Sequence, residues 1–144
     1  MEGTVSGLAV MPFAETLGIE LVSAAPGEVR ARLAWHERFC TAGGILHGGA
    51  LMALADSTGA LCASLNLTGD TTTTTTIESK TNFLASVTAG HVSAVARPLH
   101  VGRTIVVVDT ELRDDSGRLL GRTTQSQLVV RARTASSQAV HRLA

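Results

Sequence analysis

Residues 43–67, GGILHGGALMALADSTGALCASLNL, restrict the fold of this chain more than any other stretch. After a glycine-rich opening the segment is apolar on nearly every side. A helix formed there must be enclosed over most of its surface, because a helix lying on a core needs only one apolar stripe. One ionisable group, Asp56, interrupts it. An unpaired buried carboxylate is costly and shifts toward its neutral form. Asp56 therefore needs partners (Ser57, Thr58 or a strand hydroxyl), a place on a solvated stripe, or a chemical task.

The flanking sequence supplies the enclosure. Residues 8–17 predict a short opening helix, with Pro12 tolerated only in its first turn. Two strands, GIELVSA and EVRARLAW, are separated by Ala25-Pro26-Gly27. In the second, Val29, Ala31, Leu33 and Trp35 alternate with Arg30 and Arg32, the period of a strand with one wet face. A loop is expected over residues 36–44, then the helix. From the threonine run onward the pattern predicts about four more strands, with turns at residues 88–90 and 114–117. No internal repeat of 20 to 50 residues is visible. The expectation is one α+β domain over residues 1–144, an antiparallel sheet wrapped around one long helix. Its core would span about 11–131, and residues 134–144 would form a polar, fraying tail.

Twelve basic residues balance twelve acidic ones, and one Trp and three Phe leave little for base stacking, so nucleic acid is not an expected partner. Cys40 and Cys62 lack metal-ligand spacing and are too few for a disulfide framework, which predicts a reducing, cytoplasmic setting. The scattered histidines (His36, His91, His100, His141) offer no ligand set, and no metal is expected. The N-terminus does not read as a signal peptide. The most apolar stretch is broken by Asp56 short of the roughly 18 residues a membrane span needs, so no membrane partner is expected.

A helix N-terminus carries free N–H groups and partial positive charge, and Gly48 and Gly49 let another group approach that backbone. Such an end can hold a phosphate or the oxygen of a polarised carbonyl. Together with a carboxylate it makes a plausible acyl-transfer site. Gly49 and Asp56 are seven residues apart, on one face but separated by roughly 10 Å along the axis. That is too far to act on one carbonyl carbon. Two helices antiparallel across a two-fold axis would bring Gly49 of one protomer beside Asp56 of the other. His47 lies nine residues before Asp56, on the opposite side of the helix. It is read as a capping or loop-fixing residue in preference to a catalytic base.

The run Gly44-Ile45-Leu46-His47-Gly48-Gly49-Ala50 with Asp56 resembles the hotdog-fold acyl-CoA thioesterases of the PaaI-like (phenylacetate-degradation) group. Further matches are Thr76-Ile77-Glu78-Ser79-Lys80-Thr81-Asn82-Phe83-Leu84, Val101-Gly102-Arg103-Thr104, and Asp114 to Arg118. The resemblance implies a hotdog fold and hydrolysis of an acyl-CoA, aromatic or medium-chain, to free acid and CoA. Asp56 would be nucleophile or general base, the Gly49 N–H would polarise the carbonyl, and Thr76 would orient water. His47 and Gly48 would complete the loop around the thioester. Thr41 stands where the family usually carries Asn or Gln. Arg103 would meet the CoA phosphates. Lys80 and Asn82, placed on the face of Thr76 and Glu78 by simple alternation, would line the pantetheine path or stay wet. The acyl group would lie between subunits against Leu51, Leu54 and Phe83. No cofactor beyond the CoA of the substrate is implied, and the assembly would be a homodimer, paired again into a homotetramer. Two rivals stand beside this reading: a hotdog dehydratase or hydratase, and a non-catalytic acyl-CoA-binding module.

Overall fold

The computed structural model describes Leu8 and residues 10–69 and 72–131; the tail expected to fray lies outside the described residues. Helix α1 (Pro12–Leu17) is shorter than the expected 8–17. Proline has no N–H to return to Leu8, so the chain turns through Met11 N to Leu8 O instead, and the helix starts at the proline. Strands β1 (Glu20–Ala25) and β2 (Glu28–Ala34) follow around the Pro26-Gly27 turn. The predicted loop contains two short 3-10 turns, Glu37–Phe39 and Ala42–Gly44. Helix α2 (Gly48–Leu65) then leads to β3 (Thr72–Phe83), β4 (His91–Val101), β5 (Ile105–Asp114) and β6 (Leu119–Arg131).

The six strands form one antiparallel sheet in the order β1-β2-β4-β5-β6-β3. One face holds α2. The alternation in β2 comes out as read: Val29, Ala31 and Leu33 are buried while Arg30 and Arg32 are exposed. Those residues, with Val92, Ala94 and Ala96 from β4 and Val106, Val108 and Leu112 from β5, pack against Leu51, Leu54, Ala55, Leu61 and Cys62 of α2. This is the α+β, hotdog arrangement expected. Helix α2 is long and apolar enough to cross a membrane by composition, but it serves as the core helix of this sheet. Cys62 is fully buried, and burial pushes its thiol up to about 11.

Strand β3 departs from simple alternation. Its register on β6 pairs Thr76 with Gln127 and then Glu78 with Ser126, so Ile77 is an extra residue. An extra residue reverses the phase of everything after it. Thr76, Ser79 and Thr81 pair with the buried Gln127, Gln125 and Thr123 and face α2. Glu78, Lys80 and Asn82 pair with Ser126, Thr124 and Arg122 on the opposite face. The shared face assumed for Asn82 and Thr76 is therefore corrected by the bulge.

Candidate active site

The start of α2 is shaped by left-handed glycines, Gly43 and Gly44 (φ 77° and 71°), which delay the helix until Gly48. His47 is its N-cap, and its Nδ1 accepts from the Gly49 N–H at 2.7 Å. The capping role read for His47 is what the geometry displays. It has a consequence for the oxyanion donor. Ala50 N and Leu51 N are taken by the His47 carbonyl and Gly49 N by the imidazole. Among the described residues, that leaves the Gly48 N–H as the open donor of the first turn. Gly49, expected to polarise a carbonyl, is already engaged within the chain.

Gly48 opens on a mainly apolar hollow of about 360 Å³ with Thr41, Ile45, Leu51 and Phe83. The Phe83 ring lies against the Gly48 backbone, where an added Cβ would stand 3.1 Å from the ring edge. Leu54, expected beside Leu51, is fully buried in the core and lines none of this space. Thr41 lines the same hollow and is exposed.

Asp56 lies two turns along the helix, half-buried, on a separate groove of about 390 Å³ shared with Phe13, Gly49, Met52, Ala53, Thr76 and Ser79. One of its carboxylate oxygens is tethered: Oδ1 accepts from Thr76 Oγ1 at 3.1 Å and from Gln125 Nε2 at 3.2 Å. Of the partners foreseen for Asp56, the strand hydroxyl is present; Thr58 instead bonds back to the Leu54 carbonyl. Ser79 stands in the sequence only as a member of the run Thr76 to Leu84, and Gln125 and Gln127 carry no signal there. The two glutamines are buried polar residues, and nothing in TTQSQLVV distinguishes an inward glutamine from an outward one.

Within one chain the Gly48 N–H and Asp56 stay separate, eight residues and roughly 12 Å of helix apart and on different hollows. Arg103 is not brought to either. It borders a hollow with Asn66, Thr68 and Arg131 at the far, C-terminal end of α2, whose carbonyls favour cations and disfavour anions. Asn82 is on the outer face of β3. The described residues contain no group of three or more His, Cys, Asp or Glu side chains positioned to hold a metal.

Comparison with known proteins gives a consistent result. The family model matching residues 43–120 is described as the thioesterase superfamily. A 1,4-dihydroxy-2-naphthoyl-CoA hydrolase of Listeria monocytogenes is 33% identical over 110 residues, covering 76% of this chain and 89% of that protein. The crystal structure of a thioesterase of Haemophilus influenzae superposes with a TM-score of 0.84 at 27% identity, covering 91% of each chain. A mutant thioesterase of Pseudomonas aeruginosa gives 0.84 at 27% identity, covering 92% of this chain and 97% of the other.

Proposed function

Because the chain belongs to the thioesterase superfamily, and so is a thioester hydrolase, we propose that its substrate is an acyl-CoA, cleaved to a free acid and CoA with Asp56 as the reacting carboxylate. The single observation that carries this is the state of Asp56: a half-buried carboxylate facing an open groove, with one oxygen held by two donors and the other without a protein partner among the described residues.

In this reading the thioester carbonyl oxygen docks on the Gly48 N–H, at the positive end of α2. A water oxygen attacks the carbonyl carbon while Asp56 takes its proton. The tetrahedral oxyanion collapses, the C–S bond breaks, and the CoA thiolate recovers that proton from Asp56. In the direct route, Asp56 attacks the carbon itself and the C–S bond breaks to release CoA thiolate. Water then opens the mixed anhydride to the free acid and the Asp56 carboxylate, its proton going to the thiolate. A single turnover in 18O-water followed by mass analysis of Asp56 separates the two, since only the anhydride route can leave the label in the enzyme.

Gly48 and Asp56 are too far apart in one chain, so the site is completed across a two-fold axis, with donor and carboxylate from different protomers. Exposed Phe13 and Met52 line the groove, and β3, which supplies Thr76 and Ser79 to it, is an edge strand among the described residues, so this side suits a second copy. The homodimer would pair again into a tetramer. The acyl group, aromatic or medium-chain, would occupy the apolar hollow against Leu51 and Phe83. The Listeria relative's naphthoyl substrate makes aromatic acyl-CoAs the first to try.

Thiol release from a panel of aromatic and medium-chain acyl-CoAs is the test, with Asp56→Asn as control. The expected outcome is turnover of at least one class and a loss of at least 100-fold in the variant with its fold intact. Full activity in Asp56→Asn would remove the proposal.

A further inference from the structure

Two lines of donors run from β6 to one oxygen of Asp56. Gln125 Nε2 reaches Oδ1 directly at 3.2 Å and approaches the Asp56 carbonyl at 3.4 Å. Gln127 Nε2 donates to Thr76 Oγ1 at 2.6 Å, and Thr76 Oγ1 donates to the same Oδ1 at 3.1 Å. An amide nitrogen only donates, and a threonine hydroxyl has one proton. The polarity of the second line is thereby fixed, from Gln127 through Thr76 to the carboxylate.

Both glutamines are buried, at 0% and 1% exposure, in a place where glutamine is uncommon. Among the described residues Gln125 Oε1 has no hydrogen-bond partner, a condition that generally disfavours the folded state. An apolar side chain of similar length would fill the same volume without that penalty. What glutamine adds is the Nε2 donor on Asp56.

We propose that Gln125 and Gln127 are positioning residues for the reacting carboxylate. This rests on the reading of Asp56 given above. By converging on Oδ1 they fix the plane of the carboxylate and leave Oδ2 toward the groove as the oxygen that meets water or substrate. Thr76, read from sequence as a residue orienting water, spends its proton on Asp56 and acts as the last link of the Gln127 line. Neither glutamine touches substrate.

The test is a double-mutant cycle with Gln125→Leu, measured in the parent and in Asp56→Asn on the acyl-CoA the parent turns over best. The expected result is a fall in kcat of about 10- to 100-fold in the parent, the size of effect a carboxylate displaced by about 1 Å produces. KM should stay within about twofold, and the residual rate of Asp56→Asn should not fall further. An unchanged kcat in the parent, or an equal loss in both backgrounds, overturns the proposal. If Gln125→Leu does not fold, Thr76→Val cuts the second line at an exposed position and is read in the same cycle. A second measurement needs no turnover. The side-chain amide resonance of Gln125 should move on Asp56→Ala, and an unmoved resonance overturns the clamp. A parent that hydrolyses no acyl-CoA would defeat the functional reading, while this resonance would still decide the clamp.

Discussion

Gln125 can cross to Asp56 because Gly59, just under one turn further along α2, has no side chain. A Cβ at that position would overlap Gln125 Oε1 and lie 2.6 Å from its Cδ. The glutamine is fully enclosed and has nowhere to withdraw. In Gly59→Ala two effects oppose each other: helix propensity favours alanine by about 1 kcal/mol, whereas overpacking a closed core costs about 1–3 kcal/mol. The contact distances make the second larger. The variant should be less stable by about 1 kcal/mol in urea unfolding, with a kcat loss matching that of Gln125→Leu. A Gly59→Ala protein more stable than its parent would contradict this account of the packing. An apolar helix with one carboxylate, and a histidine suited to capping, were visible in residues 43–67. That the imidazole takes the Gly49 N–H, passing the open donor to Gly48, depends on a side-chain rotamer that no spacing encodes.

At the scale of elements, the best-defined connection is the β5–β6 turn. Asp114 Oδ1 accepts from Ser116 Oγ at 2.6 Å and from the Ser116 and Arg118 N–H groups, each at 3.0 Å. Its Oδ2 accepts from Arg118 Nε at 3.1 Å, and Arg118 reaches on to the Ser86 carbonyl in the β3–β4 connection at 2.9 Å. The Ser116 hydroxyl first, then the two backbone N–H groups and the guanidinium, hold the Asp114 carboxyl below the usual aspartate range. The folded state thus binds this proton less tightly than the unfolded state. The contribution is complete above the unfolded value of about 3.9 and is lost as pH falls through the lower folded value. Asp114→Asn should therefore be less stable than the parent at pH 7, and the gap should narrow as pH drops below about 4. Urea unfolding of both proteins at pH 7 and pH 3 measures that difference; a gap that widens in acid would have the wrong sign. This turn was legible because Asp-Asp-Ser-Gly is turn chemistry wherever it occurs. The inner face of β3 and β6 was not. Thr, Gln, Glu, Ser and Lys alternate there without hydrophobic contrast, so the phase is unmarked, and the extra residue at Ile77 reverses it midway.

For the molecule as a whole, the proposed chemistry requires that no single chain own a site, and complementation tests that directly. Gly48 is the first helical residue of α2, preceded by His47 in extended backbone (φ −64°, ψ 137°). Those are the conditions under which proline is accepted. Gly48→Pro removes the open N–H while preserving the helix start, at the cost of a close contact with the Phe83 ring. Gly48→Pro and Asp56→Asn should each be nearly inactive. Co-expressed in equal amounts and pairing at random, they would give about half of all dimers as mixed pairs. Each mixed pair holds one site with both defects and one site with neither, because intact Gly48 comes from one protomer and intact Asp56 from the other. Specific activity should recover to about a quarter of the parent. If donor and carboxylate came from the same chain, every site in every pairing would carry one defect and nothing would be regained. Because a quarter differs from zero by far more than preparative error, the experiment distinguishes a shared site from a private one even before the acyl group is known in detail.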